Sequence, residues 1–133
     1  MEVSAEAVAK MPGENLRVSR AEFGALWALA EHLGEQPYRG REDRFVVGVV
    51  WTCRWLARQP VWSSIVKRWE MPATPLTARH EGAMPETIEA EYLAALAARP
   101  FERDLARGVA ATLAWAWYGS GRPPLDMSGA AAG

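Results

Sequence analysis

Residues 48–55 read GVVWTCRW, and residues 108–115 read GVAATLAW. Gly, Val, Thr and Trp fall in the same places, sixty positions apart. Both stretches lie inside apolar runs with the spacing of helices, one over 42–57 and one over 101–118. A glycine in mid-helix costs about 1 kcal/mol relative to alanine. Each helix accepts that cost and sets a threonine four residues further on. Gly48 and Thr52 therefore share one face, as do Gly108 and Thr112. Small residues at this spacing leave a flat groove where a second helix can approach closely. The repeat predicts a crossing of these two helices. Trp55 and Trp115 would flank it, and the threonine hydroxyls would bond back into their own helices. A ligand cleft between the two grooves is the lesser alternative.

Other elements follow on either side. Ser19 and Glu22 form an S-x-x-E capping box. Phe23, Leu26, Trp27, Ala30 and Leu33 then recur at helical spacing, predicting a helix over 20–33 with Gly34 as its C-cap. The loop GEQPYRGR leads to the 42–57 helix, whose acids Glu42 and Asp43 start it and whose Arg54 and Arg58 end it, as the helix dipole favours. This helix is apolar almost all round, so it should be the central, buried one. After Pro60, Val61, Ile65, Val66 and Trp69 fall on one side of a helix over 61–69. A long, proline-punctuated loop spans 70–84. Pro85 opens a helix over 86–98 with Ile88, Tyr92, Leu93 and Leu96 as its buried stripe. In the 101–118 helix, Phe101, Leu105, Val109, Thr112 and Ala116 line one face. Residues 1–18 show little pattern, and 119–133 read as a flexible tail. The expectation is an all-α domain of five helices over 19–118. Ala21-Glu22-Phe23 resembles Ala90-Glu91-Tyr92, so two diverged helical hairpins, 20–57 and 86–118, can be read around the central crossing.

Composition narrows the function classes. The chain has 133 residues and a formal net charge of -1, so it offers no overall basic footprint for nucleic acid. Cys53 is the single cysteine, which excludes an internal disulfide and a cysteine-based zinc site. Its apolar helix makes it an inert core thiol. The N-terminus has acids where a signal peptide carries basic residues, and neither long apolar run reaches the ~20 residues that span a bilayer. A cytoplasmic protein with no membrane association is expected. No P-loop, GxGxxG, HExxH or GxSxG occurs. His32 reads as a solvated residue near a helix end. His80, in Arg79-His80-Glu81 on the long loop, has polar neighbours but no identified nucleophile. No cofactor and no metal site are expected, and no catalytic residue is assigned.

The sharper signal is charge. Residues 44–69 hold Arg44, Arg54, Arg58, Lys67 and Arg68 and no acid, a sum of +5, while 1–43 and 70–133 each sum to -3. Trp51, Trp55, Trp62 and Trp69 interleave these cations. The arginines either pair internally with Glu22, Glu31, Glu89 or Glu91, or face a partner. Tryptophan and arginine are the side chains that dominate binding hot spots. The expectation is a non-catalytic protein-interaction module, an adaptor or subunit that binds another protein or itself. Its surface would be Arg54, Arg58, Trp62, Lys67, Arg68, Trp69, Arg79 and His80. A nucleic-acid-associated regulator using the same patch is the alternative, and a small enzyme built on His80 is the remote one.

Overall fold

The computed structural model describes residues 2–35 and 43–128. It is mostly helical, 57% helix against 5% strand, which makes the all-α class the right one. In chain order the elements are α1 (Ala5–Lys10), α2 (Arg20–Glu35), α3 (Arg44–Ala57), β1 (Val61–Ser63), β2 (Arg68–Glu70), α4 (Pro85–Leu96) and α5 (Arg103–Ala116). Single 3-10 turns at Gly13–Asn15 and Pro100–Glu102 precede α2 and α5. No described helix is long and apolar enough to cross a membrane.

The helices start where local chemistry satisfies their free N–H groups. Ser19 Oγ accepts from Glu22 N at 3.0 Å and donates to the Glu22 carboxylate at 3.2 Å. Asp43 caps α3, its Oδ1 accepting from the amides of Phe45 and Val46 at 3.1 and 3.3 Å. The segment 36–42, including Glu42, lies outside the described residues. α2 runs two residues beyond the expected end, so Gly34 continues the helix instead of capping it.

α2 packs on α3, α4 packs on α5, and the two helical hairpins join through the most extensive interface, α3 on α5. That interface centres on Gly48 and Gly108. A Cβ on Gly48 would run into the Leu105 carbonyl oxygen and stand 3.2 Å from the Gly108 Cα; one on Gly108 would run into the Phe45 carbonyl. Thr52 and Thr112 are fully buried, and each hydroxyl donates to the glycine carbonyl four residues back, at 2.7 Å. This removes the cost of an unpaired buried hydroxyl. Trp55 and Trp115 are also buried. The rest of the core comes from Phe23, Leu26, Trp27 and Ala30 of α2, Val49 and Cys53 of α3, Ile88 of α4, and Val109 and Leu113 of α5.

The structure departs from sequence expectation at further places. Residues 61–69 are not a helix but a hairpin, with Val61 opposite Glu70, Trp62 opposite Trp69 and Ser63 opposite Arg68. Val, Ile and Trp favour the pleated conformation, and too few residues separate the flanking prolines for a helix to gain cooperativity. Second, α4 buries Ile88, Glu91 and Ala95, leaving Leu93 and Leu96 56% and 62% exposed. The helix is rotated so that the Glu91 carboxylate points inward. Third, Phe101 sits in the turn before α5 and is exposed, whereas Leu105, Val109, Thr112 and Ala116 are buried. Fourth, the segment before α2 holds a capped helix, α1, and buries Met11 and Asn15. At the other end, Leu125 and Met127 pack against the core, and residues 129–133 of the expected tail lie outside the described residues.

Candidate functional site

Arg58 ends α3 in the left-handed region, with φ 53°, and its backbone N–H closes on the helix carbonyls. The chain then turns out through Pro60 into β1. Lys67, also left-handed at φ 52°, turns it back into β2, and Ser63 Oγ accepts from Val66 N at 3.3 Å across the turn. Side chains alternate along a strand. Trp62 and Trp69 therefore share one face, where their rings meet edge to face with centroids 5.7 Å apart. That face is open: Trp62 is 54% exposed and Trp69 65%. Ile65 at the tip is 91% exposed, and Val66 and the neighbouring Met71 are about half exposed. Val61, Ser63 and Glu70, on the other face, are half-buried.

The 71–84 loop is held by a buried carboxylate. Glu91 accepts from the backbone amides of Leu76 (2.5 Å) and Thr77 (2.8 Å) and from the Thr77 hydroxyl (2.8 Å). Thr74 closes the same turn, its Oγ1 accepting from Arg79 N at 2.7 Å. Further along, Trp55 Nε1 donates to the Glu81 carbonyl at 2.8 Å, and the Ala83 carbonyl accepts from both Asn15 Nδ2 and Arg58. The loop is thus fastened to α3, α4 and the N-terminal segment.

Between β2, the end of α3 and residues 80–82 lies an open cleft of about 440 Å³, lined among others by Trp55, Arg58, Arg68, Trp69, Met71 and His80. Four of the eight surface residues expected from sequence meet here: Arg58, Arg68, Trp69 and His80. Trp62 joins them through Trp69, and Lys67 sits at the hairpin turn. Arg79 stands beside the cleft with its guanidinium 4.0 Å from Glu81. Arg54 goes elsewhere: it makes a two-pronged ion pair with Glu31, Nε and Nη2 each 2.7 Å from a carboxylate oxygen, and Glu31 is 3% exposed. Trp27 Nε1 donates to the same carboxylate at 3.0 Å. Arg68 reaches Glu70, two residues along its own strand, at 3.2 Å.

Sequence reasoning missed Ile65, Val66 and Met71, since the helix reading turned two of them inward. A second cleft, about 280 Å³, lies between Trp51, Arg54 and Val61 and the 72–75 segment. Among the described residues no three His, Cys, Asp or Glu side chains are placed to hold a metal ion. Burial, with the Glu31 charge adding to it, pushes the Cys53 thiol far above its ordinary pKa. That is the opposite of what a nucleophilic cysteine needs.

No family model, curated protein or solved structure matches this chain.

Proposed function

We propose that this chain is a non-catalytic protein-interaction module, an adaptor or subunit of a larger assembly, and that the hairpin with its adjoining cleft is the docking surface. One observation carries the reading. Large side chains such as Trp27, Trp55 and Phe23 are fully buried, and among the exposed apolar ones five lie within ten residues of each other, Trp62, Ile65, Val66 and Trp69 on the hairpin and Met71 just after it. Exposed apolar side chains gathered on one element, two of them in ring contact, are a mark of interaction sites. Tryptophans supply large rigid contact area, and Arg58, Lys67 and Arg68 at the margin would set orientation. A two-stranded hairpin is marginal by itself, so docking would also stabilise it.

The same geometry weakens the nucleic-acid alternative. Of the five cations in 44–69, Arg54 is committed to Glu31, Arg68 has Glu70 beside it, and Arg44 lies ten residues up the helix from Arg54, about 15 Å away. Glu70 and Glu81 also line the cleft. Phosphate binding needs cations in excess, and here they are nearly balanced. A cytoplasmic setting accompanies this reading, since it asks nothing of Cys53 but a reduced, buried thiol.

The test is affinity capture from the native lysate with and without nuclease, comparing the wild type with Trp62→Ser/Trp69→Ser and Arg58→Glu/Arg68→Glu. A stoichiometric protein partner that survives nuclease and is lost with either pair, in variants that melt like the wild type, is the expected result. Partners lost on nuclease treatment would transfer the surface to the nucleic-acid reading.

A further inference from the structure

Resting on the reading that the hairpin is the docking surface, we propose that its occupant is a second copy of this chain, paired antiparallel through β2 about Trp69 into a four-stranded sheet. β2 reads Arg68-Trp69-Glu70. Two copies of this strand, antiparallel and centred on Trp69, place Arg68 of each opposite Glu70 of the other. The strand is therefore complementary in charge to itself, which is what a two-fold symmetric contact requires. Arg68 and Glu70 lie on the same face of the sheet, and directly opposed unlike charges stabilise antiparallel pairs. They already meet within one strand at 3.2 Å, with side chains 71% and 37% exposed. Pairing would exchange that weak contact for two across the axis.

The other face agrees. Trp62 and Trp69 stand opposite each other within one hairpin, so a second copy would extend them into a row of four indoles, two from each chain, and cover surface now left wet. The backbone is open to it as well. Among the described residues, no backbone hydrogen bond from outside the hairpin reaches 61–63 or 68–70. An unprotected strand edge is a template for a further strand. All three residues of β2 line the open 440 Å³ cleft. No proline lies within either strand to forbid pairing.

Charge swapping tests this, read by sedimentation velocity over a concentration series, with thermal melts to confirm that each variant folds. The wild type should approach twice the mass of one chain as concentration rises. Arg68→Glu and Glu70→Arg each set like charges against one another and should be monomeric where the wild type is dimeric. An equal mixture of the two single variants should recover the dimer, because each then meets its opposite. The double variant Arg68→Glu/Glu70→Arg should dimerise as the wild type does. A wild type of single-chain mass throughout the series overturns the dimer, and the docking surface survives separately if Trp62→Ser/Trp69→Ser still abolishes capture of a different protein. A dimer indifferent to changes at Arg68, Glu70, Trp62 and Trp69 overturns the pairing through β2, and the docking surface is then decided by the same capture result.

Discussion

Gly48 and Gly108 face one another across the α3–α5 crossing, and neither leaves room for a Cβ: the carbonyls of Leu105 and Phe45 occupy the space. The obstruction on each side is backbone, which cannot swing aside as a side chain would. Gly108→Ala should therefore destabilise by about 3 kcal/mol, against the ~1 kcal/mol that alanine gains in an unobstructed helix. Gly108→Leu or Gly48→Leu should not fold. Urea denaturation decides it, and a Gly108→Leu protein as stable as the wild type would refute the crossing.

The Glu31–Arg54 pair should behave as a buried unit. Arg54→Ala strips the two-pronged partner from a carboxylate that is 3% exposed and should cost roughly 3 kcal/mol. Arg54→Lys keeps the charge but loses the fork, so it should recover only part of that loss. The apolar double variant Glu31→Leu/Arg54→Met should lie within ~1 kcal/mol of the wild type. A double-mutant cycle with no coupling would contradict the geometry.

Cys53 gives a pH dependence whose sign is fixed. Its pKa is raised in the folded chain by burial and by Glu31, so above the ordinary thiol pKa of about 8.5 only the unfolded chain loses this proton. The unfolded state then binds fewer protons, and stability falls with rising pH, by up to ~1.4 kcal/mol per unit. Below that pH the contribution is fully present. Cys53→Ala should flatten the slope between about pH 8.5 and 10, whatever it does to stability itself. Alkylation of the native thiol should be negligible until denaturant is added.

Glu91 should hold the loop shut. Glu91→Ala leaves the amides of Leu76 and Thr77 without their acceptor and should cost about 2 kcal/mol. Locally the effect should be larger: limited trypsin digestion after Arg79 should accelerate strongly. Thr77→Val removes one of the three bonds and should change digestion far less. Equal protection in Glu91→Ala would mean that the turn is held by its own Thr74 bonds.

Legibility followed the length and period of each element. α2, α3 and α5 were readable because their apolar faces extend over three or more turns and Ser19 and Asp43 mark two of the starts. The hairpin was not, because Val61, Ile65 and Trp69 fit a helical spacing by coincidence and the turn at 64–67 interrupts any alternation. The signal that favoured strands was compositional: five β-branched or aromatic residues in the nine from Val61 to Trp69. Of the cleft, Arg58, Arg68 and Trp69 follow from charge and aromatic content, and His80 from its polar neighbours on the long loop. The pairing of Arg54 with Glu31 depends on which residue of α2 faces α3, and that is a property of the packed helices, not of either sequence segment. Glu91 reads in the sequence only as one of four acids an arginine could pair with; its hold on the amides of Leu76 and Thr77 depends on a loop that the sequence leaves without a pattern.

Asn15 joins three distant parts of the chain, its amide donating to the Leu56 carbonyl at the end of α3 and to the Ala83 carbonyl at the start of α4. Its partners lie 41 and 68 residues downstream. These two bonds cannot form until residues 56 and 83, respectively, have been made, whereas α1 finds α2 close by in sequence. Contacts closing loops of that size form late and slow the whole reaction. The contact of α1 with α2 is local and can form early, while the Asn15 clasp that ties this end to the rest of the fold is among the last to close.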